Sequence, residues 1–252
     1  MNSLKLSRVA ALGFGLAIVS SGCATPEKEK NEALIGKIKR VAVVAFAVSE
    51  PAPRVAKPKF RKKTLHDVDW ESVSTESSDH ANQMYLGLQE KMANHLHWTV
   101  LSQHSMIENA GYQAAFNRTM RGRQQKAALG QGQKKFSVEK VMDWDSVEVL
   151  GPEGRDTLIT ALGVDSIVVA RVDVLFSHAF APGSHPALQS RVTYQVYSPG
   201  VPKAVWFDGA VGGDKASELV GKTAFFDEDA LKRLAVKSAN SAFDLIGNVS
   251  RE

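Results

Sequence analysis

Val41-Ala42-Val43-Val44-Ala45-Phe46 is an unbroken apolar run, introduced by Lys37, Lys39 and Arg40. A strand with one solvated face alternates apolar and polar side chains. A short run without alternation, rich in β-branched residues, predicts a strand buried on both faces. Such a strand needs helices over each side of its sheet, so these six residues predict an α/β domain.

Further along the chain, Asp165–Phe176 holds Ile167-Val168-Val169-Ala170 and then alternates around Arg171 and Asp173, the strongest strand signal present. Val192–Tyr197 and Ala204–Phe207 flank Ser198-Pro199-Gly200-Val201-Pro202, which predicts a hairpin with a short proline–glycine connection. Met84, Leu88, Met92 and Leu96 recur every four residues beside Ala81 and Tyr85, the apolar stripe of a helix. Ser77 or Ser78 would cap that helix, with Asp79 in its first turn. Trp98–Leu101 predicts a short strand, and Met106, Ile107 and Ala110 a helical segment running toward Phe116. Pro152, Glu153, Leu158 and Leu162 mark another helix, with Gly163 as its stop. The last helix follows Asp227, Glu228 and Asp229, acids suited to a helix start, and carries Leu231, Leu234, Ala235, Ser238, Ala242, Leu245 and Val249 at helical spacing.

Two stretches lose this periodicity. Residues 47–78 contain Pro51, Pro53 and Pro58, and residues 117–151 contain Gly122, Gly130 and Gly132 among polar and basic side chains. Both are expected to be loop excursions. The expected architecture is a single α/β domain over residues 40–252, a mixed β-sheet flanked by helices.

Toward the amino terminus, Lys5 and Arg8 precede an apolar run from Val9 to Val19, then Ser20-Ser21-Gly22-Cys23. That order is expected of a signal peptide over residues 1–22. A run of this length is too short for the roughly 20 residues that a membrane-crossing helix needs. Cys23 after Ser-Gly resembles the lipobox of bacterial lipoproteins, although Ser20 stands where that motif usually has an aliphatic residue. The resemblance implies a diacylglycerol, and with it palmitate, on the Cys23 sulfur. Ala24 resembles the default for sorting to the outer membrane. Residues 23–39 would then be a lipidated cysteine and short tether, at most ~55–60 Å long when fully extended.

Cys23 is the only cysteine, so no disulfide supports the fold. The formal net charge of +4 includes Lys5 and Arg8. Without them the balance is close to neutral, and together with export this argues against nucleic acid as a partner.

The succession Val41–Phe46, helix, "WTVLSQHSMIENAGY" (98–112), "LGVDSIVVARVDV" (162–174), hairpin and closing helix resembles the CsgG/LpoB/TolB-amino-terminal group of periplasmic domains. The likeness covers about 130 residues outside the two excursions, and its motifs are core-packing patterns. It implies a periplasmic α/β fold and carries no catalytic residue.

The chain's own residues point the same way. Its seven histidines form no His-Glu-x-x-His spacing and no paired cysteines are available, so no metal and no cofactor is expected. Gly-x-Ser-x-Gly is absent, Gly130-Gln131-Gly132 lacks a strand-to-helix context, and Gly212-Gly213-Asp214 is expected to be a turn after a strand. Arg171 and Asp173 would face one side of their strand as a structural ion pair at the sheet edge.

Charge is concentrated instead. Arg54, Lys57, Lys59, Arg61, Lys62 and Lys63 form one basic cluster. Arg118, Arg121, Arg123 and Lys126, with Lys134 and Lys135, form another. Such clusters suit an anionic membrane, an acidic envelope protein or an anionic envelope polymer. The expected function is that of a non-enzymatic, lipid-anchored binding or adaptor module on the periplasmic side of the outer membrane. The alternative is a subunit of a secretion or assembly complex of the CsgG type. An envelope enzyme ranks last.

Overall fold

The computed structural model describes residues 29–51, 76–123, 133–177, 187–213 and 228–246. Cys23, the 54–63 cluster, Lys126, His178 and His185 lie outside these residues. The described elements, in chain order, are β1 (Glu29–Lys30), α1 (Glu32–Ile35), β2 (Arg40–Pro51), β3 (Glu76–Ser77), α2 (Asp79–Leu96) and β4 (Thr99–Val100), then α3 (Gln103–Glu108), α4 (Ala110–Arg123), β5 (Gln133–Ser137), α5 (Ser146–Leu162), β6 (Ser166–Ser177), β7 (Ala187–Tyr197), β8 (Trp206–Gly213) and α6 (Glu228–Phe243).

All the strands join one open mixed sheet in the order β1-β8-β7-β6-β2-β5-β3, with β4 also on β2. The protein is the expected single α/β domain. Strand β2 is central: it runs parallel to β6 from Val41↔Ser166 to Ser49↔Asp173. Its other edge is shared by β4, parallel at Arg40 and Val41, and β5, antiparallel from Ala47 to Pro51. Residues 41–48 are essentially removed from solvent on both faces. At roughly 1.5–3 kcal/mol per large apolar side chain, Val41, Val43, Val44, Phe46 and Val48 contribute on the order of 10 kcal/mol before conformational entropy is counted.

Two helix layers provide that cover. Helix α2 packs beside α6, which lies along β7 and β8, while α4 packs beside α5 on the other face. Tyr85 of α2 meets Phe46 edge-on at 5.6 Å. Gly111 of α4 approaches α5 so closely that a β-carbon on it would stand 2.4 Å from the Ala161 β-carbon, so only glycine permits this contact.

The parallel ladder shifts register between Val43 and Ala45. Tyrosines from the two opposing layers meet the backbone at this irregularity. The Tyr85 hydroxyl donates to the Val43 carbonyl at 2.8 Å, and the Tyr112 hydroxyl lies 3.1 Å from the Val44 carbonyl. Tyr112 also accepts from the Met142 N–H at 3.0 Å and reaches the Lys140 carbonyl at 3.2 Å. Beside it, the Phe46 N–H donates to the Met142 carbonyl at 2.8 Å.

Several expectations are corrected. Residues 29–38, assigned to the tether, are folded onto the sheet: β1 pairs Glu29 with Phe207 and Lys30 with Trp206, Asn31 caps α1, and Ile38 is buried. The 47–78 excursion begins later than expected, because β2 continues to Pro51, and β3 and the Ser78 cap precede α2. The 117–151 excursion is largely ordered, as α4 continues to Arg123, Lys134 and Lys135 belong to β5, and α5 starts at Ser146. A break at Gly151, with φ +66°, separates that first turn of α5 from the Pro152 start which the sequence marks. Gly212 and Gly213 are not a turn but the end of β8, paired with Ser190 and Gln189. Strand β7 also begins before Val192 and makes a long hairpin with β6, from Ser177↔Ala187 to Ile167↔Tyr197.

Candidate functional site

The parallel arrangement of β2 and β6 gives the sheet two distinct ends. At one end lie the starts of β2 and β6, the β7–β8 turn and the end of β1, where Lys30 pairs with Trp206. Asp165 ties this end together: its Oδ2 accepts from the backbone N–H groups of Lys39 and Arg40, both at 2.8 Å. Asp165 is therefore a clamp on two strand starts. Arg155 supports the β7–β8 turn, donating to the Pro202 carbonyl at 2.6 Å and lying 4.4 Å from the centre of the Tyr197 ring.

At the other end β2 finishes at Pro51, and β3 begins the return of the chain at Glu76. Eleven strand steps separate Arg40 from Pro51, about 36 Å. The basic segment 54–63 is thus attached, on both sides, at the end remote from β1. Of the second cluster, Arg118 is exposed on α4, and Arg121 and Arg123 follow it in the same helix. Lys135 is paired with Asp145 at 3.2 Å. Arg171 and Asp173 do form an ion pair, with 3.1 Å between Nε and Oδ2. Their strand lies between β2 and β7 rather than at the sheet edge, and the Arg171 guanidinium lies 5.3 Å from the Trp144 ring centre.

The far end also holds a pair that the sequence did not reveal. His80, in the first turn of α2 and 5% exposed, places Nε2 2.7 Å from Glu50 Oε1 near the end of β2. Phe136 of β5 meets the imidazole edge-on at 4.7 Å. Since Glu50 engages Nε2, the neutral ring leaves Nδ1 as an acceptor, and this atom is buried with no hydrogen-bond partner among the described residues. A cleft of about 530 Å³ opens here between α2 and α6, lined by Asp79, His80, Gln83, Phe136, Lys232 and Arg233 among others. The carboxylate and imidazole have the relation of an orienting acid and a base. The described residues give this pair no nucleophile: the Ser78 hydroxyl accepts from the Ala81 N–H as a helix cap. No group of three or more His, Cys, Asp or Glu among the described residues could hold a metal ion. No described helix is long and apolar enough to cross a membrane.

The pairing of His80 with Glu50 at the far end escaped sequence analysis for a physical reason. His80 and Glu50 are 30 residues apart, and Glu50 sits inside the expected loop excursion. Only the extension of β2 through Pro51 brings the carboxylate beside α2.

No family model and no curated protein matches the chain. Among solved structures, the chain is similar to the hypothetical protein CT253 from Chlamydia trachomatis, with TM-score 0.38 and 8% identity over 84% of this chain and 95% of that one. It is similar to the LpoB C-terminal domain from Salmonella enterica, with TM-score 0.29 and 13% identity over 71% and 92%. A third likeness is to lipoprotein GNA1162 from Neisseria meningitidis, with TM-score 0.34 and 11% identity over 78% and 98%. These likenesses are too distant to assign a role to any residue of this chain.

Proposed function

We propose that this protein is an exported lipoprotein, anchored through Cys23 at the periplasmic side of the outer membrane, whose α/β domain is a non-enzymatic binding or adaptor module. The observation that carries the reading is the position of Cys23. The sole cysteine follows a leader-like apolar run and precedes the first paired strand residue, Glu29, by only six positions. The fold supports it by giving the described residues one buried core between a mixed sheet and its covering helices. The basic segments 54–63 and 118–126 join the described elements at the end of the sheet remote from Lys30, where an acidic envelope protein or anionic polymer would meet them.

Changing Cys23→Ser is expected to abolish incorporation of radiolabelled palmitate and to move the protein from the membrane to the soluble fraction. Unchanged membrane retention of the serine variant overturns the anchor. The partner is tested separately by crosslinking in cells. Replacing Arg54, Lys57, Lys59, Arg61, Lys62 and Lys63 with glutamine is expected to reduce capture of the specific crosslinked envelope partner by tenfold or more, at about 1 kcal/mol per charge in a low-salt anionic contact. Equal capture by both proteins removes the basic segment from the interface.

A further inference from the structure

The tether enters the sheet at a defined place. Glu29 and Lys30 pair with Phe207 and Trp206, the Asn31 N–H donates to the Val205 carbonyl at 2.8 Å, and the Lys30 ammonium lies 5.5 Å from the Trp206 ring centre. Counted from Cys23, only six residues precede this pairing in the sequence. They span at most about 20 Å when extended. Strand β1 runs antiparallel to β8, so the chain before Glu29 leaves along the β8 edge. A lipid on Cys23 would lie within about 20 Å of the β1 end of the sheet, near enough for that end to meet the bilayer.

That same end displays cations. Lys37, Lys39 and Arg40 precede or open β2, and Lys203 lies in the β7–β8 turn. All four are exposed, and none forms an ion pair among the described residues. Three inter-strand spacings, about 14 Å, separate β8 from β2, so the four charges fall within one footprint. The acids nearby are partly engaged. Glu32 lies 3.6 Å from Lys30, Asp165 accepts two backbone N–H groups, and Asp156 accepts from the Gly200 N–H. The balance at this end is basic.

We infer that the β1 end of the domain docks on an anionic bilayer, with Lys37, Lys39, Arg40 and Lys203 against lipid phosphate groups. The inference rests on the reading of Cys23 as a lipid anchor and extends it from attachment to orientation. Charge and geometry act together. The short tether raises the local concentration of headgroups, and each cation near an anionic surface favours contact by about fivefold at low to moderate salt. Docked in this way, the domain directs the His80 cleft and the attachment points of segment 54–63 some 36 Å outward.

The test uses the full chain, reconstituted into vesicles of phosphatidylcholine alone or with a third of phosphatidylglycerol. Lysines are labelled with an amine-reactive reagent and quantified by mass spectrometry. Labelling of Lys37, Lys39 and Lys203 is expected to fall at least fivefold on the anionic vesicles and to recover in high salt. Lys232, in the cleft at the other end, should label equally on both. Equal labelling of all four on both vesicles, or protection of Lys232 instead, overturns the orientation. Retention on neutral vesicles reports the anchor independently. If it is absent, the anchor is wrong. Salt-sensitive binding to anionic vesicles that is lost in a Lys37→Gln/Lys39→Gln/Arg40→Gln/Lys203→Gln variant would then still uphold the basic face.

Discussion

The native protein is expected to show no tyrosine ionisation as the pH passes 10, and then to ionise its tyrosines together with unfolding. The chain has four tyrosines, and each is held above its ordinary range. Burial is the first cause in every case. For Tyr194 the Asp208 carboxylate adds to it, both by its negative charge and by accepting the phenol proton at 3.3 Å. For Tyr85 and Tyr112, burial places the phenols at backbone carbonyls that need a donor. The sign follows from linkage. A raised folded-state pKa leaves this contribution to stability intact below the unfolded value near 10, and it is lost as the pH rises above that value toward the folded ones. Three fully buried phenols, Tyr85, Tyr112 and Tyr194, make the loss steep, on the order of 4 kcal/mol per pH unit. Tyrosinate absorbance and far-UV circular dichroism should therefore change in one coincident step. Gradual tyrosinate absorbance centred near pH 10 with native dichroism would show that these hydroxyls are open to water.

Truncation of Tyr112 should be the most damaging single change of an uncharged residue described here. Tyr112→Ala removes a buried ring and is expected to cost roughly 3–5 kcal/mol. Tyr112→Phe keeps the ring and isolates the hydroxyl. That hydroxyl accepts from Met142 N–H and serves the Val44 or Lys140 carbonyl, so its loss strands a buried donor and at least one acceptor. The expected cost of the phenylalanine variant is about 1–3 kcal/mol. Denaturant melts of the wild type and both variants measure it, with an unchanged slope if the native state is otherwise preserved. A phenylalanine variant as stable as wild type would mean that the β2 irregularity is satisfied without the phenol.

What the sequence made legible follows from periodicity. Val41–Phe46 could only be a strand covered twice, and Met84, Leu88 and Met92 could only face a core, which is where they lie. Gly163 stops α5 by donating its N–H to the carbonyls of Ile159 and Thr160. The hidden elements are those whose stabilisation is not periodic. Strand β5 contains Lys134 and Lys135, polar residues that read as loop, and its place is set by pairing with Glu50 and Ser49 across a long gap in sequence. Strand β1 has only two residues, and no pattern of two residues can announce an edge strand. The candidate site was illegible for the same reason. Its histidine looked like a helix residue and its carboxylate like a loop residue, and only tertiary structure joins them. The basic clusters, by contrast, were evident from composition, but the attachment of segment 54–63 at the end of the sheet remote from Lys30 follows from the direction of β2.

The pairing of β2 with β6 has a consequence in time as well as in space. Arg40 and Asp165, which hold the two strand starts together, are 125 residues apart. A ribosome adding about 5–20 residues per second needs roughly 6–25 s to pass from one to the other. Throughout that interval the most apolar strand of the protein has no partner on its β6 side, and contacts of such long range close slowly even once the chain is complete. Under the proposed export of the chain as an unfolded thread, this delay would be useful. The strand order keeps the central ladder from closing early, and the domain completes itself only after the later half of the chain has followed the first.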